Sequence, residues 1–173
     1  GGALAMGLAL GASAAELLSG LASFHGTGRR FELKGTVHGI RVIDDYGHHP
    51  TEIHVTLEAA RRFADEGRLV VIFQPHRYSR TKAFAAEFAQ ELNQADRAIL
   101  LEVYAASEKP IDGVSSRMIT SMMNKGEYIP NFVEVTDSVI ADAQPGDVIM
   151  TLGAGDVSSL APIIVEGLAR RFG

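Results

Sequence analysis

The feature that most limits how this chain can fold is Leu69-Val70-Val71-Ile72-Phe73, five consecutive apolar residues rich in β-branched side chains. A strand with one wet face alternates polar and apolar residues, so an unbroken apolar run of this length belongs to a strand covered on both faces. Val148 to Leu152 repeats the pattern, and Ala98 to Tyr104 is again strand-like. Between these runs the period changes. Ile53, Leu57, Ala60 and Ala64 recur at helical spacing from Pro50 until Gly67, and Lys82 to Asn93 carries Phe84, Phe88 and Leu92 on one face. Val114 to Met123 reads as a helix, Phe132 to Val135 as a strand, Ser138 to Ala143 as a short helix, and Val157 to Phe172 as the closing helix with Pro162 in its first turns. Phe31 to Val37 and Ile40 to Asp44 flank Gly39 as a hairpin. Apolar strands separated by helices predict an α/β, Rossmann-like fold: a mostly parallel sheet with helices on both faces and the hairpin as an antiparallel edge.

The 173 residues suffice for one domain with a proper core and a short extra piece. Net charge is -5, with 16 basic residues scattered among 21 acidic ones, which points away from general nucleic-acid or anionic-membrane binding. Zero Cys excludes disulfides and thiolate chemistry and fits a cytoplasmic protein. The apolar, Ala-rich start has no basic n-region, carries Glu16, and is too short and Gly-rich to span a bilayer. Residues 3 to 10 and the segment from the capping-box-like Ser13-Ala14-Ala15-Glu16 to Phe24 read as two short helices. A chain that opens in mid-helix looks cut from something longer, with a boundary near residues 25 to 30.

Ligands of open parallel sheets sit beyond the carboxyl ends of the strands, where helix N-termini converge. Four polar clusters occupy that position: Asp44 to His49, Gln74 to Thr81, Tyr104 to Lys109, and Gly153-Ala154-Gly155-Asp156. The first packs two carboxylates, a phenol and two imidazoles into six positions, between a strand and a helix opened by Pro50. In the second, Arg77 and Arg80 can present two guanidinium forks to a carboxylate or phosphate. The bland readings are solvated loop residues, a surface pair for Glu108 and Lys109, and a helix cap for Asp156. Adjacent His48 and His49 splay apart, and no HExxH spacing or Cys supports a protein-built metal centre. There is no GxxxxGK[ST] loop to cradle a triphosphate and no GxSxG elbow for serine hydrolysis.

Gly28-Arg29-Arg30-Phe31-Glu32, DDYGHHPTE at 44–52, FQPHRYSRT at 73–81, VYAASEKPI at 103–111 and GAGD at 153–156 resemble, in order, the C-terminal domain of the UDP-N-acetylmuramate:L-alanine ligase family, the first Mur ligases of peptidoglycan precursor synthesis. Residues 1–27 resemble the terminal helices of that family's central ATPase domain, and residues 28–173 its C-terminal domain. The family's N-terminal UDP-sugar domain and its phosphate loop have no counterpart here. Two departures are Ser107, where the family usually has Gly, and a short Arg30 to Asp45 hairpin.

The resemblance implies an ATP-dependent ligase in which ATP and magnesium activate the muramoyl carboxylate as an acyl phosphate, and the amine of L-alanine attacks it. The magnesium ligands are expected in the missing central domain, and this fragment alone is expected to be inactive. The domain would act as a lid that brings the amino acid and completes the nucleotide site. By the same resemblance, Arg30 reaches ATP phosphate, Asp45 meets the nucleotide near its ribose, and Tyr46 and His48 lie against the amino acid and muramoyl carboxyl. Arg77 and Arg80 take the alanine carboxylate, and His49 and His76 are support residues. No general base is assigned: the attacking amine must lose a proton, and His48 is a candidate only by the pKa range of an imidazole. Two alternatives stay open: the related recycling ligase that attaches a tripeptide to the same sugar nucleotide, and a stand-alone nucleotide- or amino-acid-binding module.

Overall fold

A computed structural model describes Ser13 and residues 28 to 173; the helices expected within residues 3 to 24 otherwise lie outside the described residues. Among the described residues one six-stranded sheet organises the chain. Strands β1 (Glu32–Val37) and β2 (Ile40–Asp45) form the expected antiparallel hairpin. Its two turn residues, His38 and Gly39, both have positive φ (49° and 80°), the backbone hand that matches strand twist.

Helix α1 (Pro50–Ala64) leads to β3 (Leu69–Phe73), and α2 (Tyr78–Leu92) leads to β4 (Arg97–Leu100). A four-residue α3 (Arg117–Thr120) precedes β5 (Gly126–Tyr128), and α4 (Phe132–Asp142) precedes β6 (Val148–Leu152). A 3₁₀ turn (Asp156–Ser159) runs into α5 (Leu160–Phe172). Strand order is β1-β2-β6-β3-β4-β5, with every pair after the hairpin parallel. The two unbroken apolar runs are thus central neighbours, which explains why neither shows a wet face. Leu69, Val71 and Phe73 pack under α1 and α2 with Ile53, Leu57 and Phe88. Val70 and Ile72 face the other way, against Val135 and Val139 of α4 and Leu160 and Ile164 of α5.

Three sequence expectations are corrected. Phe132 to Val135 is not a strand but the first turn of α4; the Asn131 side chain accepts from Val133 N–H (2.8 Å) and Glu134 N–H (3.1 Å), and that cap outweighs the β-branched composition. The last strand before α4 is instead the three-residue β5. The run to Tyr104 leaves its ladder after Leu100 and returns as one bridge between His76 and Tyr104, across Pro75, which has no N–H to donate. The Val114–Met123 helix contracts to α3, where Thr120 and Ser121 hydroxyls bond backward to the carbonyls of Arg117 and Met118. In addition, α2 begins at Tyr78, a turn earlier than the apolar period indicates.

Register fixes the functional edge. Asp45 pairs with Leu152, Leu152 with Phe73, Phe73 with Leu100 and Leu100 with Tyr128, so the carboxyl ends of five strands stand level.

Candidate functional site

The loop after β2 is held from beneath by two buried carboxylates. Asp44, fully buried, accepts from Thr151 Oγ1 (2.7 Å) and pairs with Arg29 Nε (3.1 Å), whose Nη2 also donates to the Gly153 carbonyl. Asp45 is 4% exposed and accepts from the N–H groups of Phe31 and Gly47, each at 2.8 Å, and from Thr56 Oγ1 at 3.3 Å. Its carboxylate therefore faces its own chain, where it sets the path of the Tyr46 loop.

On that platform Tyr46 and His48 meet edge to face, with ring centroids 5.2 Å apart. The guanidinium groups of Arg29 and Arg30 lie over the Tyr46 ring at 5.0 and 5.8 Å. His48 Nδ1 is 3.0 Å from the Tyr46 carbonyl and 3.5 Å from Glu52 Oε2. Both neighbours are acceptors, so the hydrogen belongs on Nδ1 and a neutral ring leaves Nε2 as an open acceptor. Glu52 also accepts from the N–H groups of His48 (3.0 Å) and His49 (3.2 Å), while the His49 side chain caps α1 by accepting from Thr51 N–H. Burial pushes the Glu52 carboxyl up, but those N–H groups and the charges of His48 and Arg30 outweigh it and hold the group below the usual carboxylate range. His49 spends its ring against Phe84 of α2, 5.0 Å away, a support role.

The row continues across the sheet. His48 lies 5.6 Å from His76, and His76 stacks on Tyr104 at 5.6 Å with 15° between the planes. Arg80 Nη1 approaches His76 Nδ1 at 3.5 Å, which makes that nitrogen an acceptor. Burial, and then the charges of His48, Arg80 and Arg77, hold His76 below the usual imidazole range. Arg77 takes an unusual backbone position (φ 74°) with its N–H on the Tyr104 carbonyl (2.8 Å) and its carbonyl accepting from Thr81 N–H (3.1 Å) and Oγ1 (2.9 Å). Among the described residues, neither Arg30, Arg77 nor Arg80 forms an ion pair.

The glycine turn presses on this row. Gln74 donates to Asp156 Oδ1 (2.7 Å) and accepts from Val157 N–H (3.1 Å). A Cβ on Gly155 would stand 2.3 Å from Gln74 Oε1 and 2.8 Å from Tyr104 Cγ, and Gly153 has φ 142°. The GAGD turn thus brings backbone close to the aromatic row, which only Gly permits.

Arg30, Tyr46, His48, His76 and Arg80 therefore form one continuous row, with the Arg77 backbone fixed beside it and Asp45 beneath. Arg29, Glu52, Gln74, Tyr104 and Glu108 complete it; the sequence places Gln74, Tyr104 and Glu108 in its polar clusters without giving them a role, and only Glu52 has a local signal for one, its position three residues after the cap. A row of rings flanked by arginines that make no ion pair among the described residues can receive two anionic groups and hold a reacting amine between them.

The family model of the Mur ligase, glutamate ligase domain, matches residues 29–155. The chain belongs to this Mur ligase family. It is similar to the UDP-N-acetylmuramate–L-alanine ligase of Mycobacterium ulcerans, 51% identical over 174 residues that take in 98% of this chain and 36% of that protein. The Mycobacterium tuberculosis ligase of the same name is 51% identical over 178 residues, again with 98% and 36% covered. The Mur ligase chain thus spans about a third of the length of these curated relatives. Among solved structures it is similar to the UDP-N-acetylmuramate-alanine ligase MurC of Thermotoga maritima, with 29% identity and TM-score 0.77 over 97% of this chain and 36% of that one. It also shares its fold with a murein peptide ligase of Psychrobacter arcticus, at 23% identity and TM-score 0.70 over 95% of this chain and 35% of that one. Among the described residues of the Mur ligase chain, no helix is long and apolar enough to cross a membrane.

Proposed function

We propose that residues 28–173 are the C-terminal domain, and residues 1–27 the last helices of the central ATPase domain, of a cytoplasmic ligase that joins L-alanine to UDP-N-acetylmuramate at the expense of ATP. The observation that carries this reading is the pair Arg77 and Arg80, which make no ion pair among the described residues, with Arg80 Nη1 3.5 Å from His76 Nδ1 and His76 in turn beside His48. An amino acid with a small side chain offers these arginines a carboxylate and leaves its amine within the imidazole row. Identity of 51% with alanine ligases over nearly the whole chain supports the same substrate.

Each side chain then has a role. Arg30, free above the Tyr46 ring, offsets charge on ATP phosphate during phosphoryl transfer to the muramoyl carboxylate. Asp45 serves the nucleotide side by holding the loop that faces it. Arg77 and Arg80 fix the alanine carboxylate, Tyr46 and His48 flank the amine and the activated carboxyl, and His48 Nε2 is positioned to take a proton as the C–N bond forms. Magnesium, bound with ATP, would supply charge compensation at the phosphates, its ligands being those of the family's central domain.

The test is ADP release by the full-length enzyme containing this chain, with UDP-N-acetylmuramate and either L-alanine or a tripeptide. Turnover with L-alanine and at least a hundredfold lower kcat/KM with tripeptide is expected, by about 3 kcal/mol of discrimination. A preference for tripeptide favours the recycling ligase, and no turnover with either favours a stand-alone binding module.

A further inference from the structure

Resting on the reading of Arg77 and Arg80 as the amino-acid clamp, we propose that Glu108 is the positioning residue that fixes this clamp. Glu108 sits in the loop that follows Tyr104, 29 residues from its partner in sequence. Its Oε2 accepts from Ser79 N–H at 3.0 Å and its Oε1 from Ser79 Oγ at 2.6 Å. Ser79 lies between the two arginines, in the first turn of α2, where no side chain from Arg77 caps the helix. The orphan N–H groups of that turn are thus served from another loop. The Ser79 bonds hold the Glu108 carboxyl below its ordinary range.

Two further bonds make the arrangement a clip. The Tyr104 carbonyl accepts from Arg77 N–H (2.8 Å), and Tyr104 N–H donates to the Pro75 carbonyl (2.8 Å). The loop between them passes through Ala106 (φ 47°) and Ser107 (φ 72°), conformations that L-residues hold only under external constraint. Glu108 closes the clip from the far side. The Glu108 carboxylate feels the Arg77 charge, yet its two oxygens point at Ser79 and it makes no ion pair with either arginine among the described residues, so both guanidinium groups stay available to an incoming carboxylate.

A positioning role predicts a selective effect. In the full-length enzyme Glu108→Ala raises KM for L-alanine about tenfold, with kcat within about threefold and KM for ATP unchanged, since ground-state binding of one substrate is what loosens. Glu108→Gln keeps one acceptor for Ser79 and recovers KM to within about threefold of wild type, while Ser79→Ala raises it by a similar, smaller factor. The wild-type arm separates the two claims: no L-alanine turnover by wild type overturns the ligase reading and this inference with it. Wild-type turnover with an unchanged KM for L-alanine in Glu108→Ala, or equal rises in KM for L-alanine and ATP, overturns the inference alone.

Discussion

The arginines at the two ends of the sheet lead opposite lives. At the amino end three are neutralised: Arg68 pairs with Asp147 (2.7 Å) and Asp142 (3.1 Å), Arg97 grips Glu127 with two bonds of 2.8 and 2.9 Å, and Arg61 pairs with Asp96, while Arg41 is tied to the Phe63 and Gly146 carbonyls. At the carboxyl end Arg30, Arg77 and Arg80 lie among aromatic rings, imidazole and backbone, with Glu52 and Glu108 near enough to feel the charges of Arg30 and Arg77, yet they make no ion pair among the described residues. Strain divides the same way. Of the non-glycine residues with positive φ, Arg29, Phe31, Arg77, Ala106 and Ser107 border the carboxyl end, against His38 and Asp65 elsewhere. One end ties most of its charge into structure; the other, apart from the Arg29–Asp44 pair, leaves arginines without ion pairs among the described residues beside a strained backbone.

The largest expected effect breaks the contrast on the ligand side. Arg77→Ala and Arg80→Ala each lower kcat/KM for L-alanine about 100-fold, the ~3 kcal/mol typical of removing one member of a desolvated charge pair. Urea denaturation of either variant stays within about 0.5 kcal/mol of wild type, because these side chains hold nothing in the fold. Next comes the mirror experiment. Arg68→Ala strands Asp147, which is 2% exposed, and costs about 2 kcal/mol in urea denaturation. In the full-length enzyme it leaves KM for L-alanine unchanged.

Smaller effects sharpen the picture of strain and charge. Ser107→Gly relieves a left-handed backbone (φ 72°) and raises stability by about 1 kcal/mol. The smallest is a pH effect at His76, whose folded pKa lies below its ordinary 6.5. Its contribution to stability is complete above pH 6.5 and is lost as pH falls through 6.5 toward the lower folded value, where the unfolded chain binds the extra proton. His76→Gln therefore flattens the decline in melting temperature between pH 7.5 and 5. His54, raised by its hydrogen bond to Glu91, has the opposite sign: its contribution is present below 6.5 and lost as pH rises through the folded value.

How much of this was legible in the sequence follows from where each residue's partners lie. The central strands and α1 declared themselves through unbroken or periodic apolar residues, because burial on two faces or one leaves a local signature. The three-residue β5 left none, and Phe132-Val133 mimicked a strand because composition is visible where a cap geometry is not. The four clusters were legible as one site since a parallel sheet brings carboxyl ends together. The early start of α2 was not, because its first turn is capped by Glu108 from another loop. Arg29 and Arg30 are neighbours of equal charge, yet one is a strut to Asp44 and the other is free. Only the left-handed turn at Arg29 (φ 60°), a property of the folded backbone, tells them apart.

The most direct test of the claim that the free arginines exist for a carboxylate is to replace that carboxylate. In the full-length enzyme, ADP release is measured with L-alanine and with L-alaninamide, for wild type and for Arg80→Ala. Wild type is expected to favour L-alanine about 100-fold, and Arg80→Ala to lose most of this discrimination by failing on L-alanine rather than by gaining on the amide. Equal use of the two substrates by wild type, or full discrimination retained in Arg80→Ala, would contradict that claim.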